Sequence, residues 1–282
     1  MSQHVVSSRL TVPEIRGRKG KEKLVCLTAY TAPMAAILDP VVDLILVGDS
    51  LGMVVHGLPT TVGVTLDMMI LHGRAVMRGS THALVVVDLP FGSYERGPQQ
   101  AHESAVRVMQ ETGCQAVKVE AGEGVPETIG FLVRRGIPVV GHVGLRPQAA
   151  NVDGGFRAKG RSASEREAVL AEARAVDQSG AFAMVVEGVA GELADEITRQ
   201  VAVPTIGIGA SASCDGQILV TDDMVGLFDW TPKFVRRYGA MRELVSQAVQ
   251  AYAADVRSGA FPGSAEMYSL KSRKAAAPGD QT

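Results

Sequence analysis

The 282-residue chain carries 28 Lys and Arg against 30 Asp and Glu, a formal charge of −2, and 46% of it is apolar. So even a balance gives no electrostatic footing for nucleic acid or an anionic membrane surface. The length and apolar content suit a sizeable core, in one large α/β domain or two smaller ones. Cys26, Cys114 and Cys214 stand far apart with no CxxC pair, which argues against a disulfide framework or a structural zinc site. The N-terminus has no apolar signal-like core, and no run approaches the roughly 20 residues that cross a bilayer. A soluble protein of a reducing compartment, most simply the cytoplasm, is expected.

In chain order, residues 1–22 read as a lead-in that contains VPEIRGRKG (12–20). Eight short Val-, Ile- and Leu-rich runs follow: KLVCLTA (23–29), LILVGDS (44–50), ALVVVDLP (83–90), AVKVEAG (116–122), IPVVGHVG (137–144), FAMVVEGV (182–189), VPTIGIGA (203–210) and GQILVTD (216–222). Short apolar runs bounded by Gly or Pro are buried parallel strands. Amphipathic helical patterns fill most gaps, as at 66–80, 98–113 and 163–180. Gly113, Gly136 and Gly180 are placed to end helices. Eight right-handed β–α repeats without a composition break predict a (β/α)8 TIM barrel rather than a doubly wound pair of domains. The seventh connection is short, so its helix is expected to be missing or reduced to a turn. Residues 241–259 predict an added C-terminal helix. With the lead-in, it is a candidate for subunit contacts. The barrel with this helix is expected to span 23–268, and the tail 269–282, with its KSRK cluster (Lys271–Lys274), to be disordered.

Five of the runs close on one polar residue: Asp49, Asp88, Glu120, His142 and Glu187. In a TIM barrel these fall at the catalytic rim. Buried charges repeated on successive strands cost desolvation and gather mainly where a site uses them. Asp49, Asp88 and Glu120 on neighbouring strands make an oxygen-donor set suited to Mg²⁺, and an ion with open positions can chelate a 2-oxo acid. Lys118 lies two residues before Glu120 on the same strand face and suits the substrate carboxylate. Glu187 is the candidate base for a carbon-bound proton. Plainer readings stand beside these: Asp49 as an N-cap, and His142 as a hydrogen-bonded core residue. The GIGASA stretch (207–212) fits a dinucleotide fingerprint weakly, being on the seventh strand with no long helix after it; a close approach by a ligand or by backbone is the alternative. The Gly- and Arg-rich segment 144–164 is long enough for a structureless lid or a disordered excursion.

At these positions the chain resembles the ketopantoate hydroxymethyltransferase family. The shared motifs include LTAYTAPMA (27–35), VGDSLGMVVHG (47–57), DLPFGSY (88–94), AVKVEAG (116–122), GIPVVGHVGLRPQ (136–148), VVEGV (185–189), PTIGIGA (204–210) and PKFVRRY (232–238). The resemblance implies a metal-dependent (β/α)8 barrel that assembles into a homodecamer. It also implies hydroxymethyl transfer from 5,10-methylenetetrahydrofolate to 3-methyl-2-oxobutanoate, giving 2-dehydropantoate for coenzyme A synthesis. Carried onto this sequence, Asp49, Asp88 and Glu120 hold Mg²⁺. Asp49, Ser50, Asp88 and Lys118 contact the oxo acid, Glu187 accepts the proton, and His142 has a supporting role. Arg146, Asp153 and Ser211 depart from the family pattern, near the lid segment or on what the resemblance makes the pterin side. Two rivals remain open at this point: a folate-independent lyase or mutase of the same superfamily, and a non-catalytic binding protein.

Overall fold

The computed structural model describes residues 9–268. Eight parallel strands close into a barrel in sequence order: β1 Leu24–Thr28, β2 Leu44–Val47, β3 Leu84–Asp88, β4 Ala116–Glu120, β5 Val139–Gly144, β6 Ala183–Glu187, β7 Thr205–Ile208 and β8 Gly216–Leu219. Each strand is shorter than its predicted run; Gly48, Pro138, Gly188, Pro204 and Gly209 bound β2, β5, β6 and β7. The expected helices form at Leu66–Gly79, Pro98–Thr112 and Ala163–Gln178. Thr65 and Ser162 cap the first and third with their side-chain oxygens. Gly113, with φ 81°, ends the second in the left-handed region. No helix separates β7 from β8, as the short connection implied.

Strand parity divides the core in two. Leu84, Val86, Ala116, Val140, Ala183, Val185 and Ile206 fill the barrel, while Val85, Val87, Val117, Val119, Val139 and Val186 face the surrounding helices. The lead-in forms a helix at Val12–Arg16, and its Ile15 packs with the interior cluster, closing the N-terminal end of the barrel. This side chain is therefore spent inside the subunit.

The C-terminal helix forms at Met241–Ser258 and buries none of its residues. Leu244, Val245, Val249, Tyr252 and Val256 on it are 46–60% exposed. Val25, which points outward from β1, is also 47% exposed, whereas Val85, Val117 and Val139 at outward positions of β3, β4 and β5 are wholly covered. The barrel wall beside β1 thus lacks the helical cover present elsewhere. Among the described residues no helix is long and apolar enough to cross a membrane, and all three cysteines are buried free thiols. The expected disordered tail, 269–282, lies outside the described residues.

Candidate active site

The same parity that fills the barrel aims its chemistry. Lys118 and Glu120 follow Ala116 on the inward face of β4. Asp88 ends β3 opposite Lys118, His142 on β5 lies opposite Glu120, and Glu187 ends β6 opposite Gly144. Two placements differ from expectation. β2 stops at Val47, so Asp49 lies in the turn into a single-turn helix, Leu51–Val54. His142 is followed by two further strand residues rather than closing its strand. Gly48 permits the turn: a Cβ there would stand 2.8 Å from Ser50 Oγ.

The structure brings the sequence candidates into one chain of contacts. Asp49 N donates to Asp88 Oδ2 at 3.0 Å. Lys118 Nζ lies 2.9 Å from Asp88 Oδ1 and 3.3 Å from His142 Nδ1. His142 Nδ1 is 3.8 Å from Glu120 Oε1, and its Nε2 faces Glu187 Oε2 at 3.3 Å without the alignment of a hydrogen bond. Ser50 Oγ joins the rim through the Tyr30 hydroxyl at 2.8 Å. The N-cap reading of Asp49 does not hold, since Ser50 occupies that position and the Asp49 carboxylate bonds elsewhere. His142 is both buried and a member of the site.

Burial, and then repulsion from Asp88, pushes Asp49 up to about 7 despite Lys118. Glu120 is driven well above the usual carboxylate range by burial and then by Asp49. Burial opposes the charge on Lys118, but Asp88, Glu120 and Asp49 outweigh it and raise its pKa. His142 is lowered by burial and by Lys118, which keeps it neutral. With Nδ1 accepting from the Lys118 ammonium, Nε2 carries the imidazole proton toward Glu187.

These acids suit a hard divalent cation. Glu120 Oε1 is buried without a hydrogen-bond partner, Asp88 Oδ1 meets only the Lys118 ammonium, and the crowding that raises Asp49 and Glu120 is what a cation would relieve. Among the described residues no three His, Cys, Asp or Glu side chains converge closely enough to hold an ion as they stand, so Asp49, Asp88 and Glu120 would have to draw together around one. The protein would supply part of a coordination sphere and leave the rest to water or substrate oxygens.

Sequence reasoning missed two residues at the centre of the site, Gln148 and Tyr94. Gln148 Nε2 donates to Asp49 Oδ2 at 2.8 Å and to Leu89 O at 3.0 Å, and its backbone N donates to Glu120 Oε2 at 3.1 Å. The Tyr94 hydroxyl donates to Gln148 Oε1 at 2.6 Å and accepts from Glu120 N at 3.3 Å. Both stand in motifs already noted, DLPFGSY and GHVGLRPQ, but neither lies on a strand whose parity would aim it.

The 144–164 segment is more ordered than a structureless lid. It holds a 3-10 turn at Pro147–Ala149, a helical turn at Ala150–Asp153 and a bridge from Lys159 to Val189. Its departures contact groups of the same chain, although Arg146 Nε is buried without a hydrogen-bond partner. Arg146 donates to Ala121 O at 2.6 Å and lies 3.5 Å from Glu172, and Asp153 pairs with Lys159 at 2.6 Å. Ser211 donates to Asp195 at 2.5 Å. In the GIGASA stretch, Gly209 (φ 57°) leaves room for the Phe234 ring, which a Cβ would approach to 3.0 Å, and no helix follows.

A parallel eight-stranded barrel with acids and a lysine at the carboxyl ends of its strands defines a TIM-barrel enzyme of the carboxylate-site kind. The solved 2,3-dimethylmalate lyase, a member of the PEP mutase/isocitrate lyase superfamily, shares this fold with a TM-score of 0.56 at 15% identity, over 94% of this chain and 93% of that one. Residues 9–264 match the sequence profile of the ketopantoate hydroxymethyltransferase family. The 3-methyl-2-oxobutanoate hydroxymethyltransferase of Phenylobacterium zucineum is 68% identical over 93% of this chain and 96% of its own. That of Hyphomonas neptunium is 65% identical over 96% and 98%. The chain belongs to the ketopantoate hydroxymethyltransferase family.

Proposed function

We propose that this enzyme transfers a hydroxymethyl group from 5,10-methylenetetrahydrofolate to 3-methyl-2-oxobutanoate, forming 2-dehydropantoate in the first committed step of pantothenate synthesis. The observation that carries the reading is the contact chain Asp88–Lys118–His142–Glu187 across four adjacent strands, ending on the most open acid of the set. The Glu187 side chain is 18% exposed against 4% or less for those of Asp88 and Glu120.

Asp49, Asp88 and Glu120 would hold Mg²⁺, which when bound supplies Lewis-acid polarisation of a 2-oxo acid. Lys118 keeps its charge in the buried site and offers it to the substrate carboxylate. Ser50, steadied by Tyr30, offers a hydroxyl to the substrate. Glu187 takes the proton from C3 of the oxo acid. Water releases the methylene carbon from the folate as formaldehyde, breaking both of its C–N bonds and leaving a proton on each nitrogen. The enolate carbon bonds to that carbon, whose oxygen takes up a proton to become the new hydroxyl. Neutral His142 lies 3.3 Å from Glu187 through Nε2 and so flanks the base without protonating it.

The test is NMR of 3-methyl-2-oxobutanoate in D₂O with enzyme and Mg²⁺. Wild type should wash out the C3 proton, EDTA should stop it, and Glu187→Gln should slow it by about 10²–10⁴. Wild type that binds the oxo acid yet never exchanges the proton, even with tetrahydrofolate present, sinks the reading.

The same reading includes a homo-oligomer, in which the C-terminal helix of one copy covers bare barrel wall or the matching helix of another. The apolar face at Leu244 and Val249 and the uncovered Val25 support it. Light scattering should report a smaller particle for the Leu244→Glu/Val249→Glu double variant; an unchanged mass would remove this part of the proposal.

A further inference from the structure

The hydrogen bonds around Gln148 have only one consistent direction. The Leu89 carbonyl can only accept, so the Gln148 amide nitrogen must face it. The amide oxygen then faces Tyr94, whose hydroxyl must donate to it, leaving the phenol lone pair for the Glu120 backbone N–H. The second amide hydrogen falls to Asp49 Oδ2, and the Gln148 backbone N–H falls to Glu120 Oε2. One residue thus takes one oxygen from each of two acids, Asp49 in the turn after β2 and Glu120 at the end of β4. The other oxygen of Glu120, Oε1, is the buried atom with no hydrogen-bond partner. Gln148 is itself only 7% exposed, so little water competes for these bonds.

We infer that Gln148, oriented by Tyr94, is the positioning residue that sets the Asp49 and Glu120 carboxylates for a divalent cation. It occupies one oxygen of each and leaves the other to the ion. This inference rests on the proposed metal site and adds to it a residue that touches neither metal nor reacting atoms. Because Gln148 sits in the turn that opens the 144–164 segment, seating that turn and setting the two acids are one event. Two mutually repelling acids without such a clamp would have no fixed orientation to offer.

Mn²⁺ binding, read from the EPR signal of the free ion, tests this without reference to turnover. Gln148→Met keeps the volume and removes both side-chain donors, and it should weaken Mn²⁺ binding by about 10–100-fold, the range of outer-sphere losses. Its thermal midpoint without metal should fall, because the Leu89 carbonyl and Tyr94 hydroxyl lose a buried partner, so affinity is read well below that midpoint. Tyr94→Phe, which removes only the hydroxyl that orients the amide, should give a smaller loss in the same direction and serves if the first variant does not fold. Wild-type affinity in folded Gln148→Met or Tyr94→Phe, with wild type itself binding Mn²⁺, overturns this inference and leaves the site reading intact. A wild-type protein that binds no Mn²⁺ overturns both.

Discussion

Asp39 and Asp49 lie ten residues apart, at opposite ends of β2, and both are almost fully buried. Their surroundings pull them in opposite directions. At the N-terminal end of the barrel, Asp39 accepts from Ser80 Oγ at 2.6 Å, Thr81 N at 2.8 Å, and His82 N and Ala83 N at 2.9 Å. Burial alone would raise its pKa, but these donors outweigh burial and hold it at about 2. At the catalytic end, Asp49 receives one side-chain donor, from Gln148, and faces Asp88 across a short gap. Burial and that neighbour push it to about 7. Burial raises both; at Asp39 the donors reverse it, while at Asp49 a like charge adds to it and only one side-chain donor opposes. One end of the barrel is closed by satisfied charge, while the other keeps charge in reserve for a ligand.

The largest test of the contrast is truncation. Asp39→Ala would leave the Thr81, His82 and Ala83 backbone N–H groups without their acceptor, and should cost about 3–5 kcal/mol in denaturant unfolding. Asp49→Asn removes a charge that folding must desolvate, and without divalent cation should leave stability within about 1 kcal/mol of wild type or raise it. Equal losses at the two positions would erase the distinction between the two ends.

That distinction was only half legible in the sequence. Lys118 and Glu120 could be placed because a buried strand has a period of two and one face of it is the barrel interior. Asp88 and Glu187 followed from their places at strand ends. Gln148 was not legible, because its partners Asp49 and Leu89 lie 99 and 59 residues away and no periodicity aims a residue in a turn. Asp39 was passed over for the same reason. Its donors come from the segment before β3, 41–44 residues downstream, and nothing in LDPVVD marks them. The barrel and its rim are written in local pattern; the clamps at each end exist only once distant loops meet.

A smaller effect appears on titration without metal. Asp49 has a folded pKa above its unfolded value, so its contribution to stability is complete below about pH 4 and is lost as pH rises through about 7. Between pH 5.5 and 7.5 that loss is about 2 kcal/mol. Burial lowers His142, which works the other way over part of this range, so the readout is the difference between wild type and Asp49→Asn. Saturating Mg²⁺ should abolish the difference or reverse it, because the ion binds the deprotonated acids. A flat difference in both conditions would mean that Asp49 is already ionised at pH 5.5.

The smallest effect lies on the acid side and belongs to the other aspartate. Asp39 has a folded pKa below its unfolded value, so its stabilisation is present above about pH 4 and is lost as pH falls toward about 2. Between pH 4 and 2.5 the loss is about 1 kcal/mol. It should be absent from Asp39→Asn, which has no proton to take up, and insensitive to Mg²⁺, since no proposed ligand is involved. Metal-free wild type should therefore lose the Asp49 contribution on the neutral side and the Asp39 contribution on the acid side, and the two variants should each remove a different limb. If Asp39→Asn flattened the neutral limb instead, the two ends of the barrel would be coupled through β2, and the division of labour argued from their donors would fail.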